Sequence, residues 1–319
     1  MDYDVFNGDA DGICALLQLR REEPREAVLV TGVKRDIALL ERVDAWPGGR
    51  VTVLDISMQK NAAALERLLA RGVSVFYADH HLPGEIPPHP ALDALIDTDP
   101  NLCASLLIDR RLGGRHRAWA VTGAFGDNLN VSAREAAREL ALSAGRLDQL
   151  QTLGVCINYN GYGADIEDLH IPPAELYRTL AGYPGPLDFV DDPGSDFPLL
   201  REGYEQDIAR AAALRPEVES DAIAVYLLPE ASWARRVSGV FGNRLANAAP
   251  ERAHAVLTRN RLGGYLVSVR APLNDRRGAG QLCQQFESGG GREGAAGINH
   301  LAPERVSDFV DRFRAAYPD

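Results

Sequence analysis

The first hundred residues alternate short apolar runs with longer segments in which apolar residues recur at helical spacing. The runs are rich in β-branched residues and predict four strands, at residues 4–6, 27–31, 51–54 and 73–78. The segments between them predict crossover helices at residues 10–21, 37–43 and 58–71. Strands separated by helix-length crossovers predict a parallel, doubly wound α/β sheet.

The remainder of the chain changes character twice. Residues 101–153 have a mainly helical pattern, and residues 158–197 are rich in Gly, Pro, Tyr and Asp, with one clear helix at 172–180. A helix over 199–214 then leads to a second alternating pattern, with strands at 221–228, 253–258 and 265–269 and helices at 236–248 and 304–315. We therefore expect an amino-terminal domain over 1–195, a linker helix over 196–220 and a smaller α/β domain over 221–319.

Composition is that of an ordinary globular chain, with 319 residues, 45% hydrophobic and 25% charged. The longest apolar run is about seven residues, far below the ~18 needed to cross a bilayer, so we expect no membrane contact. The acidic start of the chain does not fit a secretory signal and favours the cytoplasm. Four scattered cysteines without a CxxC pair predict buried thiols.

The charge is unevenly distributed. A net charge of −11 argues against a general electrostatic grip on nucleic acid. Between residues 231 and 292, however, ten arginines stand against three acids, which leaves the rest of the chain near −18. This division suits a metal site in the first domain and an anion site in the second, although a solvated arginine face explains it equally well.

Two carboxylates follow the first predicted strand. Asp9 and Asp11 point the same way in an extended segment, because side chains repeat with a period of two. Like charges in one small volume are unfavourable unless a cation neutralises them, which favours Mn²⁺ or Mg²⁺. A turn in which an Asp caps the following helix is the alternative.

Further acids and imidazoles end the third and fourth strands. Asp55 follows the third strand, and Asp79-His80-His81 follows the fourth. Ligands of parallel sheets bind outside the carboxyl ends of the strands, so these side chains are expected to converge. No GxGxxG follows the first strand, which disfavours a nucleotide-dependent oxidoreductase.

These residues resemble the four motifs of the DHH phosphoesterases, in order and in spacing. The matching segments are Asp9-Ala10-Asp11, Asp55, Asp79-His80-His81 and Gly126-Asp127-Asn128. The stretch 289–297 is similar to the glycine-rich signature of the associated DHHA1 domain, and a predicted strand bearing Ser268 and Arg270 precedes it. The resemblance covers nearly the whole chain and is specific for the superfamily but not for a substrate.

The resemblance implies a two-metal phosphoesterase. Family ligands carried over by position place one ion among Asp11, Asp55, His80 and Asp127. Asp55 would bridge to a second ion that Asp9 and Asn7 also hold. Asp79 would orient His80, and His81 would face the scissile phosphate as a donor or proton source.

The chain departs from the family pattern in the first motif and in the glycine-rich signature. Many relatives have a histidine at the place of Val5, and others have an aspartate at the place of Asn7. The neutral amide of Asn7 offers a carbonyl oxygen, so the second ion is expected to bind weakly. Arg292 stands where the glycine-rich signature usually has His, which retains anion binding but excludes a proton shuttle near neutral pH.

The glycine-rich stretch predicts a phosphate pocket. Its expected members are Ser268, Arg270, Gly289, Gly290, Gly291 and Arg292. Glycines let backbone N–H groups approach a phosphate, and residues 295–297 could begin a helix whose amino end favours anions. A plain turn is the alternative.

The function implied is hydrolysis of phosphate esters of short oligonucleotides or nucleotides, by a metal-activated water in a cleft between the domains. Short substrates are favoured because the chain lacks interleaved aromatics and lysines for a long single strand. Three related activities stay open: a single-strand-specific exonuclease, a cyclic-dinucleotide phosphodiesterase and a polyphosphatase. A catalytically impaired relative that only binds nucleic acid or nucleotides also stays open, as does a homodimer.

Overall fold

The computed structural model describes residues 1–318. These residues form two compact units, one over Met1–Tyr204 and the other from Glu205 onward. The division falls within the helix Phe197–Ala212, inside the segment expected to act as a linker. Each unit has its own sheet and its own hydrophobic core.

The first unit is built on a five-stranded parallel sheet. Its strands are β1 (Tyr3–Phe6), β2 (Val28–Val30), β3 (Arg50–Leu54), β4 (Ser74–Asp79) and β5 (Leu92–Ile96). The order β2-β1-β3-β4-β5 is that of a doubly wound sheet, which confirms the predicted fold class. The sequence pattern did not predict β5, which is an edge strand without a fully buried residue.

Both faces of this sheet are covered. Val53 and Tyr77 are buried in one apolar cluster, while their chain neighbours Leu54 and Ala78 are buried in another. Because side chains alternate along a strand, the two clusters lie on opposite faces. This explains why the strands are nearly continuous apolar runs rather than alternating ones.

Nine helices begin in the first unit. They are α1 (Ala10–Glu22), α2 (Ala62–Ala70), α3 (Ala104–Arg111), α4 (Arg117–Gly126), α5 (Asn130–Ala137), α6 (Ala144–Asn160), α7 (Pro173–Ala181), α8 (Pro186–Asp191) and α9 (Phe197–Ala212). The helix predicted at 37–43 is only a 3₁₀ turn at Leu39–Arg42. The Asn61 side chain accepts the Leu40 N–H at 3.1 Å and donates to the Ile37 carbonyl at 2.7 Å. It thereby satisfies backbone groups that would otherwise favour a longer helix.

The second unit is a smaller mixed sheet, and three helices begin in it. Its strands and helices in chain order are β6 (Val218–Glu219), β7 (Ile223–Leu228), α10 (Ser232–Ala248), β8 (Ala253–Arg259), β9 (Tyr265–Arg270), α11 (Ala279–Cys283), β10 (Gly289–Arg292), β11 (Ala295–Leu301) and α12 (Val306–Ala316). The order is β10-β11-β9-β8-β7-β6, with β7 and β8 parallel and the other pairs antiparallel. The predicted second α/β domain is confirmed.

The glycine-rich stretch differs from its prediction. Residues 295–297 begin strand β11, not a helix, and the triple glycine lies in β10, which pairs with β11. Gly291 has φ +142°, and a Cβ there would lie 2.5 Å from the Ala296 Cα. The glycines therefore allow two backbones to approach closely within a hairpin, which a helix at 295 would prevent.

All four cysteines are buried, as predicted. Over residues 1–318, no helix combines the length and the apolar character that crossing a membrane requires.

Candidate metal centre

The acids and imidazoles predicted at the strand ends converge at one edge of the first sheet. Strands β1, β3 and β4 are neighbours and run in the same direction, so their carboxyl ends open onto the same edge. This edge lies at the point where the strand order reverses, which is where ligands bind in sheets of this type. The sheet topology therefore brings motifs from distant parts of the sequence together.

His80 lies at the centre of three carboxylates. Its Nε2 is 3.4 Å from Asp55 Oδ1, 3.9 Å from Asp127 Oδ2 and 4.0 Å from Asp11 Oδ2. Donor atoms around one Mg²⁺- or Mn²⁺-sized ion lie roughly 3 to 4 Å apart, because each metal–ligand distance is roughly 2 Å. Each of the three carboxylates therefore lies at about the spacing from His80 that shared coordination of one divalent ion requires, as the family resemblance implies.

Asp79 and His81 extend the same cluster. One ligand atom of each lies within 4.8 Å of ligand atoms of Asp55 and His80. Asp79 Oδ1, however, is 2.7 Å from Nδ1 of His81. A carboxylate held by this contact is less suited to bind an ion directly than the carboxylates around His80.

Asp11 has a structural role that the sequence did not reveal. Its Oδ2 accepts the N–H of Ala104 and its Oδ1 accepts that of Ser105, both at 2.7 Å. These are the first two residues of α3, so Asp11 caps a helix that lies more than ninety residues further along the chain. Each oxygen keeps a second lone pair, which leaves Asp11 able to bind an ion.

Asp55 is under backbone and electrostatic strain. Its φ is +57°, which is uncommon for a residue other than glycine, and its N–H donates to the Ala78 carbonyl at 3.0 Å. Burial, and then the nearby carboxylates of Asp9 and Asp11, raise the pKa of the Asp55 carboxyl well above its ordinary value. A cation among these groups would relieve that repulsion.

Asp127 ends α4 and is the most exposed of the four proposed ligands by side chain, at 22%. Burial and the charges of Asp11 and Asp9 raise the pKa of Asp127 to about 6. Its two oxygens face different neighbours. Oδ2 lies near His80, while Oδ1 is 3.6 Å from the Nζ of Lys34.

Asp9 is arranged differently from the prediction. Its Oδ1 caps α1 by accepting the N–H groups of Asp11 and Gly12, and its Oδ2 lies 2.6 Å from Lys34 Nζ. Burial alone would raise the pKa of Asp9, but the Lys34 ammonium lowers it. Where we expected a second ion, the structure therefore has an ammonium group as the partner of Asp9.

Asn7 also faces this lysine. Its Nδ2 donates to the Lys34 carbonyl at 3.3 Å, and its Oδ1 is buried without a hydrogen-bond partner among residues 1–318. Of the two residues expected to hold only the second ion, Asp9 has the Lys34 ammonium as its partner, whereas Asn7 keeps a buried oxygen without a hydrogen-bond partner among residues 1–318. Lys34 itself was not predicted as a site residue, and its rarity as a lysine was the only signal, since the chain has two lysines and thirty-two arginines.

The partner of Asp79 also differs from the prediction. We expected Asp79 to orient His80, but its Oδ1 contacts His81 instead. The hydrogen bond to Asp79 raises the pKa of His81. The His81 side chain is 47% exposed, so a ring held by a buried carboxylate is presented at the surface of the cluster.

In the second unit, the predicted phosphate-binding residues lie on adjacent strands. Ser268 pairs with Gly297, which pairs with Gly290; in the next row, Arg270 pairs with Ala295, which pairs with Arg292. Directly paired residues share a face, as do residues two apart on one strand. The register therefore places the following on one face: Ser268, Arg270, Gly290 and Arg292. Gly289 and Gly291 alternate with Gly290 along β10.

The two arginines of this face differ in their surroundings. Arg270 donates to Asn243 Oδ1 at 2.8 Å and to Ser268 Oγ at 2.9 Å, which fixes its guanidinium. Arg292 is exposed. The Arg270 guanidinium is thus held by Ser268 on the same strand and by Asn243 on α10, whereas Arg292 is presented to solvent.

Comparison with solved structures identifies several of similar fold. The exonuclease RecJ bound to manganese is 20% identical with a TM-score of 0.66, and the match covers 98% of this chain and 89% of that one. RecJ from Thermus thermophilus, in complex with Mn²⁺, is 21% identical with a TM-score of 0.64; the match covers all of this chain but only 52% of that one. This chain thus spans about half the length of the Thermus protein.

A third structure is similar along its whole length. The pGpG-specific phosphodiesterase PggH from Vibrio cholerae is 14% identical with a TM-score of 0.55, and 98% of each chain is covered. No family model matches this sequence. No curated protein matches it either. The likeness is one of fold over the whole chain, and it agrees with the fold that the motif resemblance implies.

Proposed function

We propose that this chain, which has the two-domain fold of the DHH/DHHA1 phosphoesterases, is a metal-dependent hydrolase of phosphate esters. Its favoured substrates are short oligonucleotides or nucleotide phosphates. Mn²⁺ is the favoured ion, because two structures of similar fold are described with manganese, and Mg²⁺ is the alternative. Exonuclease, cyclic-dinucleotide and polyphosphate activities are the related alternatives.

The observation that carries this proposal is the grouping around His80. One imidazole and three carboxylates come from the ends of β3, β4 and α4 and from the start of α1, yet each carboxylate lies within 4.0 Å of the imidazole Nε2. Without a cation, burying several carboxylates together costs free energy, because they lose hydration and repel one another. A bound cation would offset this cost, which supports a metal site at this position.

A bound divalent ion supplies a more acidic water and neutralises charge on the phosphate. The residues of the chain do the rest. His80, Asp55, Asp127 and Asp11 hold the ion, and Asp79 fixes the ring of His81. His81, whose pKa is raised, donates a hydrogen bond or a proton to the phosphate or to the departing oxygen.

The second unit binds a phosphate of the substrate that is not cleaved. Ser268 and Arg270 offer a hydroxyl and a fixed guanidinium, Gly290 lets a ligand approach the strand backbone, and Arg292 offers a bidentate fork. This small polar patch suits one or two phosphates. The lack of a lysine and aromatic track disfavours a long single strand.

The test is a hydrolysis panel with added Mn²⁺. Substrates are dinucleotides, a 3′-phosphonucleotide, a cyclic dinucleotide, a long single strand and polyphosphate. We expect cleavage of the short substrates, and we expect His80→Ala to abolish it. His89→Ala is the control, because His89 belongs to the same unit but its Nδ1 accepts the Ala91 N–H instead of facing the acids. Absence of cleavage at every Mn²⁺ concentration would refute the hydrolase.

A binding protein without turnover is the second candidate. The contact of Lys34 with Asp9 favours it, because a carboxylate paired with an ammonium group is not available to bind a metal ion. Such a protein would bind the same short ligands with similar affinity before and after Asp127→Ala. A hydrolase would instead lose turnover with that substitution, so one variant separates the two functions.

A further inference from the structure

Lys34 places a positive charge among the acids of the centre. Its Nζ lies 2.6 Å from Asp9 Oδ2, 2.9 Å from Asn158 Oδ1 and 3.6 Å from Asp127 Oδ1. The ring of Tyr162 lies on another side, with its centroid 5.8 Å from the ammonium. The ammonium therefore has oxygen ligands from three separate segments, as a small cation would.

The main chain around Lys34 is fixed on both sides. Its N–H donates to the Gly161 carbonyl at 2.8 Å, and its carbonyl accepts from Asn7 Nδ2 at 3.3 Å. The loop also approaches the first motif closely, because a Cβ on Gly8 would lie 1.9 Å from the Gly32 carbonyl oxygen. Lys34 is thus part of the packing of the site rather than a long surface side chain that reaches it by chance.

The choice of lysine is informative in this chain. Thirty-two of its thirty-four strongly basic residues are arginines, and the second lysine, Lys60, is exposed. An ammonium is a compact point charge, whereas a guanidinium is a planar fork that needs more room. A position that must be filled by a single compact cation favours lysine.

Asp127 connects this ammonium to the ion position. One of its oxygens faces Lys34 and the other faces His80. A carboxylate shared in this way is the arrangement expected of two neighbouring cation positions, and here Asp127 takes the shared place that the family resemblance assigned to Asp55. The position beside Asp9 already holds the Lys34 ammonium. At the position beside His80, the carboxylate oxygens face the imidazole and not an ammonium or guanidinium group.

We propose that the Lys34 ammonium permanently occupies the second cation position, so that the centre binds one divalent ion where relatives of this fold are expected to bind two. This inference rests on the proposed function. The neutral Asn7 agrees with it, because an aspartate at that place would add a charge that one ammonium could not balance.

The experiment counts Mn²⁺ ions bound per chain. The unmodified protein is stripped with a chelator, titrated with Mn²⁺ alone and followed by calorimetry and by electron paramagnetic resonance, which detects coupling between neighbouring Mn²⁺ ions. We expect one ion per chain and no Mn–Mn coupling. Lys60→Met is the matched control and should behave in the same way.

Two variants should open the second position. We expect Lys34→Met combined with Asn7→Asp to bind two ions with Mn–Mn coupling, and Lys34→Met alone to bind the second ion more weakly. Two ions in the unmodified protein would overturn the inference and leave the proposed function intact. One ion in the folded double variant would also overturn it. No ion in any form would instead count against the proposed function.

Discussion

The Asp79 carboxylate lies 2.7 Å from Nδ1 of His81, and its other oxygen is buried without a hydrogen-bond partner among residues 1–318. Asp79 is fully buried, whereas nearly half of the His81 side chain is exposed. A buried acid thus holds an accessible imidazole and raises its pKa. His80, next in the chain, instead faces the acids that are proposed to hold the ion.

This pairing predicts different effects for changes to the two residues. His81→Ala should lower kcat roughly 10²- to 10⁴-fold, the usual range for a lost proton donor. Asp79→Asn should lower kcat less, because the ring remains, but the pKa of His81 should fall. Activity that needs protonated His81 should then decline at a lower pH, so the alkaline limb of kcat against pH should shift downward.

Thermal unfolding and the pH dependence of kcat together test this prediction. Thermal unfolding checks that Asp79→Asn still folds, since a fully buried group is changed. A folded Asp79→Asn variant with an unmoved alkaline limb would show that Asp79 does not act through His81.

Asp11 should contribute to stability as well as to ion binding. Asp11→Asn replaces an oxygen that accepts an N–H of α3 by an amide group that cannot accept it. Such a buried, unsatisfied donor costs about 1–3 kcal/mol. We expect a loss of this size in urea unfolding with the chelator EDTA present, and weaker Mn²⁺ binding.

Asp127→Asn is the matched comparison. It removes a proposed ligand from a position that caps no helix by its side chain, and it relieves repulsion from Asp9 and Asp11. In EDTA this variant should be as stable as the unmodified protein or more so. Equal losses in the two variants would mean that Asp11 has no special role at α3.

Much of the site could be predicted because its residues lie at strand ends. Asp55 and His80 follow apolar runs whose alternation with helices predicts a parallel sheet, and such a sheet brings its strand ends together. Lys34 could not be predicted in this way, because it lies in a loop without periodicity. Its position depends on contacts with Asn158 and Gly161, more than 120 residues further along the chain.

The second unit illustrates another limit. The apolar runs predict strands β7, β8 and β9, but a run of glycines has no side chains from which to infer periodicity. The local pattern therefore favours a helix at residues 295–297, although pairing with Val269 and its neighbours on β9 makes them a strand. The pairing is a long-range property that local propensity does not contain.

Stabilisation by Mn²⁺ should depend on pH. The pKa of Asp127 is about 6 in the folded protein and 3.8 ordinarily, so between these values the folded state holds a proton that the unfolded state has lost. Without an ion, this group therefore makes stability fall as pH rises from about 4 to about 6. Mn²⁺ requires the carboxylate, so it should displace the proton.

The measurement is the shift in Tm on replacing EDTA by Mn²⁺. We expect a larger upward shift at pH 7 than at pH 5, and Asp127→Asn should reduce this difference. Calorimetry in buffers of different ionisation enthalpy should detect proton release at pH 5. A shift that does not change with pH would contradict the raised pKa of Asp127 as a factor in ion binding.

Arg292 should control substrate affinity more than turnover. Arg270 is already fixed by Asn243 and Ser268, whereas Arg292 is exposed and can close onto a phosphate. A hydrogen bond to a charged group contributes about 1.5–3 kcal/mol, so Arg292→Ala should raise KM for a dinucleotide roughly 10- to 100-fold.

Arg292→Lys should give an intermediate KM, because an ammonium keeps the charge but not the planar fork of the guanidinium. Arg314→Ala on α12, where the arginine is also exposed, is the control and should leave KM unchanged. If Arg292→Ala instead lowered kcat roughly 10- to 100-fold and left KM unchanged, Arg292 would act on the reacting phosphate. The proposal that the glycine-rich strand binds a phosphate that is not cleaved would then be wrong.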